Sequence, residues 1–221
     1  MSHSDDKGLI LPPVLAPIHL VVVPIFKTEE DVEAIKNYLQ PALEQLEKAD
    51  FSTKSEFLGD HKTNVKIKFD DDDQRSPGWK YNEYELKGVP LRIAIGKRDV
   101  ENGKVELFRR DTGEKILVNI SELAEKVISL LEEMQTNLYV KHKTFSLENT
   151  FVVDTYEDFK EKVEKGFVLA HRDGTKETAD RIQEETKATI RCLPFDSLAE
   201  EGIDMLTGTK SERRVIFAKS Y

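Results

Sequence analysis

A single cysteine, Cys192, in 221 residues excludes an intramolecular disulfide framework, so a reducing, cytoplasmic setting is the expectation. No hydrophobic run approaches the roughly twenty residues of a membrane span; the longest candidate, Ile18 to Phe26, is interrupted by Pro24. The amino terminus, Met-Ser-His-Ser-Asp-Asp, does not read as a signal peptide. Positive charge is scarce too: 33 Lys and Arg face 42 Asp and Glu, a net of -9. That excludes a grip on nucleic acid through bulk electrostatics, so any such contact depends on local basic patches and base-edge chemistry, with a modest salt slope. Catalytic signatures are missing: no G-x-G-x-x-R, no P-loop, no supported Ser/His/Asp or Cys/His set, and Asp173-Gly-Thr-Lys176 is too short for a phosphate cradle. Internal repeats are missing as well. What remains is a chain long enough for a real core in one or two domains.

The most informative stretch runs from Ser76 to Asp99, SPGWKYNEYELKGVPLRIAIGKRD. Ser76 suits an N-cap, Pro77 the first helical position and Gly88 the position after the helix, and Val89-Pro90 prevents continuation. The spacing predicts a helix of about eleven residues. Leu91, Ile93 and Ile95 then alternate with Arg92 and Ala94, so the apolar set faces one side of a sheet and Arg92 the other. Arg98 keeps the parity of Arg92 and is expected beyond Gly96, at the strand's exit. Ligands gather at the carboxyl ends of strands in open α/β sheets, and two arginines delivered there suggest an anion or base-edge reader.

Three blocks here, RSPGWK (75–80), ELKGVPLR (85–92) and GKRD (96–99), resemble the anticodon-binding domain of prolyl-tRNA synthetases of the eukaryote-like or archaeal-like type. Family features also stand at Ser2–Pro13, at Ile182-Gln-Glu-Glu-Thr186 and at the terminal Phe217-Ala-Lys-Ser-Tyr221. The resemblance covers nearly the whole chain. It implies an α/β architecture: the mixed-sheet anticodon-binding domain of a class II synthetase over 18–120, then a small α/β (α+β) domain over 121–221. Residues 1–17, marked by Pro12, Pro13 and Pro17, are expected to form an extended linker from an absent catalytic core. The chain would then be the carboxyl-terminal part of a larger enzyme.

In chain order, Ile18–Ile25 is a β-branched run that predicts a strand buried on both faces. His19 at its start reads either as a ligand or, more commonly, as a satisfied structural histidine. Thr28 and Asp31 form a capping box before a helix with apolar positions Val32, Ile35, Leu39, Leu43 and Leu46, which Pro41 should kink or split. Residues 50–64 look like a polar surface excursion, and Val65–Phe69 like a strand with one wet face. The run Asp70–Asp73 invites a divalent-metal reading, but no glycine-centred calcium loop follows, and solubility accounts for it. Lys104–Arg110 and Glu114–Asn119 predict a hairpin about Asp111-Thr-Gly113. Within it, Phe108-Arg109-Arg110-Asp111 resembles the second motif of class II synthetases, although its partner motifs are missing and a charged hairpin edge explains it. Ser121 opens a long helix with the stripe Leu123, Val127, Leu130, Leu131, Met134 and Leu138, read as a bridge into the second module. There, Thr155–Gly166 and Ala179–Ala188 predict helices, and Phe167–His171, Thr189–Pro194 and Val215–Ala218 predict strands.

The resemblance carries roles with it. The family's readers of the two anticodon guanines fall on Glu85, Arg92 and Arg98, the last a lysine in some relatives. A carboxylate accepts from guanine N1-H and N2-H, and an arginine fork donates to O6 and N7. Without the resemblance, a surface ion pair of Glu85 with Arg92 is at least as good a reading. Tyr81, one turn before Glu85, can stack on a base or equally pack in the core or at the rim. Many relatives bind zinc through four cysteines; here Asp173, Thr178, Asp204 and Thr207 take those positions and Cys192 falls outside them. Threonine hydroxyls are poor zinc ligands, so zinc is expected to be absent and packing or Asp–Thr hydrogen bonds to replace it.

In relatives the chain ends close to the catalytic domain. The Tyr221 carboxylate is therefore expected to contact that neighbourhood, unless the terminus simply frays. The expected partners are tRNA(Pro), the enzyme's own catalytic domain and a second copy of the full-length protein, with no DNA and no membrane. ATP with magnesium would serve that catalytic domain, and no cofactor is expected in this chain. Two other readings are a free-standing, synthetase-derived RNA-binding or regulatory protein without ligase activity, and a small-molecule α/β domain, for which no pocket motif speaks.

Overall fold

The computed structural model describes residues 3–54, 59–195 and 199–219; Tyr221 lies outside them. The chain divides into two compact units, Met1–Lys141 and His142–Tyr221.

In the first unit, β1 (Ser4–Asp5) and β2 (Gly8–Leu9) form a small hairpin, followed by a 3-10 turn at Pro13–Leu15. β3 (Leu20–Ile25) leads into α1 (Glu29–Glu47), then β4 (Asp50–Thr53), β5 (His61–Asn64) and β6 (Ile67–Phe69). α2 (Pro77–Leu86) delivers the chain to β7 (Leu91–Gly96), α3 (Lys97–Asn102), β8 (Lys104–Arg109), β9 (Lys115–Asn119) and α4 (Leu123–Glu148). The main sheet runs β6-β3-β7-β8-β9. Its first three strands are parallel and its last two antiparallel. This is the mixed sheet expected.

Strand parity sorts the side chains onto two faces. Leu20, Val22, Leu91, Ile93 and Ile95 pack with Ile35, Leu39 and Leu46 of α1 and with the apolar stripe of α4. Val21 and Val23 face the other way, against Tyr84 of α2 and Val89. Arg92 pairs in register with Val21 on one side and Phe108 on the other, so it belongs to the α2 face. Toward β9 that face opens, and Lys115 and Leu117 are exposed.

Local signals place α1 and α2. Thr28 and Asp31 make the reciprocal capping box, and the Ser76 hydroxyl accepts from Trp79 N–H. Gly88 has φ +69, which a side chain would resist. Pro41 does not split α1, which runs unbroken past it. His19 is fully buried and satisfied on both ring nitrogens: Lys66 N–H donates to Nδ1 at 2.8 Å, and Nε2 lies 3.0 Å from the Pro13 carbonyl. Burial holds its pKa below the usual histidine value.

Four expectations need correction. Residues 50–64 are not a bare excursion: β4 and β5 pair antiparallel, because Phe51 has a place in the core against the edge of the His19 ring; residues 55–58 lie outside the described set. The segment 1–17 is not a free linker: the Asp5 carboxylate takes a bidentate bond from Arg110, and Val14 N–H donates to Gln135. The long helix does not begin the second module, since its stripe completes the first core, and the division falls between Lys141 and His142 instead of 120 and 121. Asp70 does more than solubilise a loop. It holds the buried Lys80 ammonium at 3.0 Å and accepts from the Tyr84 hydroxyl at 2.7 Å.

In the second unit, β10 (Thr150–Val152), α5 (Tyr156–Lys162), β11 (Phe167–His171), α6 (Lys176–Thr186) and β12 (Ala188–Cys192) precede the short pair β13 (Gly202–Ile203) and β14 (Lys210–Ser211) and the long β15 (Arg214–Lys219). The sheet order is β10-β11-β15-β12, parallel only between β10 and β11. Phe159, Val168, Ile182 and Phe217 centre its core.

Candidate nucleic-acid interface

α2 and β7 bring Tyr81, Glu85 and Arg92 together. Arg92 is 6% exposed, and its guanidinium lies between two rings, 3.8 Å from the Tyr81 centroid and 4.6 Å from that of Phe108. Glu85 Oε1 stands 3.7 Å from Arg92 Nη2, close enough for attraction but too far for a hydrogen bond. Arg92 Nε has no hydrogen-bond partner among the described residues. Leaving such a donor buried costs about 1–3 kcal/mol. Burial pulls the Arg92 pKa down while Tyr81, Glu85 and Glu106 pull it up; its ordinary value is so far above neutrality that the charge persists. Burial also pushes the Tyr81 phenol up, so it remains a neutral ring and hydroxyl.

Arg98 does not join them. It was expected at a strand exit in the parity of Arg92, but β7 ends at Gly96 and Arg98 lies in the first turn of α3, where helical geometry sets its direction. The Asp99 carboxylate starts that helix by accepting from Gly96 N–H at 2.8 Å. Arg98 is exposed and makes no ion pair among the described residues. Tyr81, too, differs from a free stacking platform, because Arg92 covers one face of its ring. Phe108 was missed as a site residue; only the cross-strand register, Arg92 opposite Phe108, reveals it.

The neighbouring arginines behave differently. Arg109 gives two bonds to the Asp111 carboxylate, at 3.1 and 2.8 Å, and one to Glu133 at 2.7 Å. Arg110 forks onto Asp5 and also donates to the Glu85 and Gly8 carbonyls. Both are nearly buried, so the exposed charged edge expected at Phe108–Asp111 is instead a pair of internal clamps. Of their carboxylate partners, Glu133 and Asp5 come from elsewhere in the first unit, and Asp111 belongs to the run itself.

In the second unit, the four positions that the family resemblance assigns to zinc ligands converge without any thiolate or imidazole. Thr178 Oγ1 donates to Asp173 Oδ2 at 2.7 Å, and Asp173 N–H to Asp204 Oδ2 at 2.9 Å. Asp204 Oδ1 accepts from the Leu206 and Thr207 amides and from the Thr207 hydroxyl. The carboxylate oxygens are thus committed to N–H and O–H donors. This donor set does not fit zinc.

The α/β sheet that brings Tyr81, Glu85 and Arg92 together lies within residues 19–130, which match the family model described as "Anticodon binding domain". A second model, "Prolyl-tRNA synthetase, C-terminal", matches residues 156–221. Proline–tRNA ligases from Cytophaga hutchinsonii and Christiangramia forsetii are 52% and 47% identical to the chain, each over all of it and over 43% and 42% of their own lengths. The crystal structure of prolyl-tRNA synthetase from Cryptosporidium parvum, solved with L-proline and AMP, superposes with a TM-score of 0.82 at 32% identity and covers 100% of this chain and 44% of that one. The chain belongs to the prolyl-tRNA synthetase family and corresponds to its C-terminal region, the anticodon-binding domain followed by the C-terminal domain. It spans less than half the length of these relatives.

Proposed function

We propose that the first unit reads the adjoining guanines of the proline anticodon, within an enzyme that activates proline with ATP and magnesium and transfers it to tRNA(Pro). Catalysis belongs to a domain outside this chain. Arg92, oriented by Tyr81 and Phe108, offers guanidinium donors to a guanine Hoogsteen edge, while Glu85 accepts from a guanine N1-H and N2-H. Arg98 supplies an exposed cation for the same RNA. The observation that supports this reading is the Arg92 guanidinium held between the Tyr81 and Phe108 rings, with the Glu85 carboxylate beside it at 3.7 Å, outside hydrogen-bond distance. Binding of RNA stem-loops with a proline anticodon, with and without the guanines, tests it. Arg92→Ala should cost about 1–3 kcal/mol, and only on guanine-bearing loops. Equal binding of all loops by wild type and variant would sink the assignment. A cytoplasmic setting, a homodimer of the full-length protein and a contact with the catalytic domain belong to this reading. No described helix is long and apolar enough to cross a membrane.

For the second unit we infer that the network of Asp173, Thr178, Asp204 and Thr207 takes the structural place of a metal. Its support is chemical: carboxylates already saturated by amide and hydroxyl donors gain little from a cation that prefers sulfur or imidazole. One equivalent of zinc in the purified protein would overturn it.

A further inference from the structure

An open cleft of about 480 Å³ adjoins the Arg92 site and is lined by Lys7, Asn82, Glu85 and Leu86. Its volume lies within the usual range for small-ligand clefts. Residues four apart share a helix face, so α2 presents two neighbouring stripes, Tyr81 with Glu85 and Asn82 with Leu86. Glu85 therefore borders both the Arg92 site and the cleft.

The far wall comes from the hairpin of β1 and β2, and the fold fixes it firmly. Gly8 sits at φ +129 so close to α2 that a Cβ there would lie 2.5 Å from the Leu86 Cα. Only glycine fits. Arg110 ties the same parts together, gripping the Asp5 carboxylate and the Gly8 carbonyl with its fork and the Glu85 carbonyl with Nε. Lys7, thus positioned, is exposed and has no ion pair among the described residues; Asn82 and Leu86 are exposed too, Leu86 by 57%.

We propose that this cleft is a subsite for the nucleotide adjoining the guanines read at Arg92, a reading that rests on the function proposed above. Leu86 offers an apolar surface to the base plane, the Asn82 amide offers one donor group and one acceptor to a base edge, and the Lys7 ammonium meets the phosphate. The segment ahead of β3 thereby becomes part of the RNA-binding surface.

The test measures affinity of the 221-residue chain for proline-anticodon stem-loops over a salt series. Lys7→Ala should weaken binding about threefold to tenfold on every loop and lower the log–log salt slope by about 0.7, the value for one single-strand phosphate contact; Lys7→Arg should keep the slope. Loops made abasic on either side of the guanine pair provide the second arm. One of them should bind wild type several-fold more weakly, and Asn82→Ala, weaker on the intact loop, should lose nothing further on that one. An unchanged slope in Lys7→Ala, or an Asn82→Ala loss that ignores the abasic position, overturns the subsite while guanine discrimination persists. A wild-type chain that does not discriminate guanine at all overturns the parent reading and this one with it.

Discussion

The two units each gather polar side chains into one small volume, and they treat them in opposite ways. Around Asp204 each carboxylate oxygen meets a donor from Asp173, Leu206 or Thr207. At Arg92 a buried cation keeps one nitrogen without a hydrogen-bond partner among the described residues and its carboxylate at arm's length. Saturation marks a group whose task is to hold the chain; a donor left without an acceptor, held in place by aromatic rings, is the feature on which the proposed guanine reading draws. The same contrast repeats within one sheet, where Arg109 and Arg110 are fully engaged and Arg92 is not.

The largest expected effect follows from breaking a saturated group. Arg109→Ala strands the Asp111 carboxylate, 6% exposed, and should cost about 3–5 kcal/mol. Urea unfolding followed by Trp79, the sole tryptophan, reads this in the first unit. Next comes Asp204→Ala, which leaves three amides and a hydroxyl of the second unit without their acceptor. The expected loss is about 2–4 kcal/mol, seen as faster hydrogen exchange at the Leu206 and Thr207 amides.

Arg92→Met sharpens the contrast from the other side. Replacing an unsatisfied buried charge by an apolar chain of similar length should leave stability within about 1 kcal/mol, or raise it, while removing guanine-dependent binding. A stability loss as large as that of Arg109→Ala would place Arg92 among the structural arginines. The smallest effect concerns acid. The His19 pKa is depressed by burial, so below the ordinary histidine value of about 6.5 the unfolded chain takes up more protons than the folded one. Stability therefore falls as pH drops. Subtracting the stability–pH curve of His19→Gln from that of wild type should isolate this slope, and a difference curve that is flat or rises toward acid would contradict it.

Much of the first unit was legible from local signals. The Ser76 cap, Pro77 and the left-handed Gly88 delimit α2, and the alternation of β7 announces its two faces. These features depend on residues a few positions apart, so they survive without tertiary knowledge. Residues 50–64 misled because only Phe51 reports the burial of their hairpin. Arg109 and Arg110 misled because, apart from Asp111 two positions beyond Arg109, the carboxylates that engage them lie 24 and 105 positions away, at Glu133 and Asp5. The second-unit positions 173, 178, 204 and 207 were named through a resemblance, and no local pattern announces their convergence.

Periodicity, capping and turn chemistry in this chain determine which segments are helix and which are strand, and they put Glu85 at a helix end and Arg92 on the face opposite Leu91 and Ile93. Which of the three arginines stays unsatisfied, that Phe108 braces one of them, and that Lys7 shares a cleft with Glu85 were decided only when distant segments packed. The reason is physical. Backbone preference is set by near neighbours, whereas the satisfaction of a buried charge depends on every group that can reach it, and reach is a property of the folded chain.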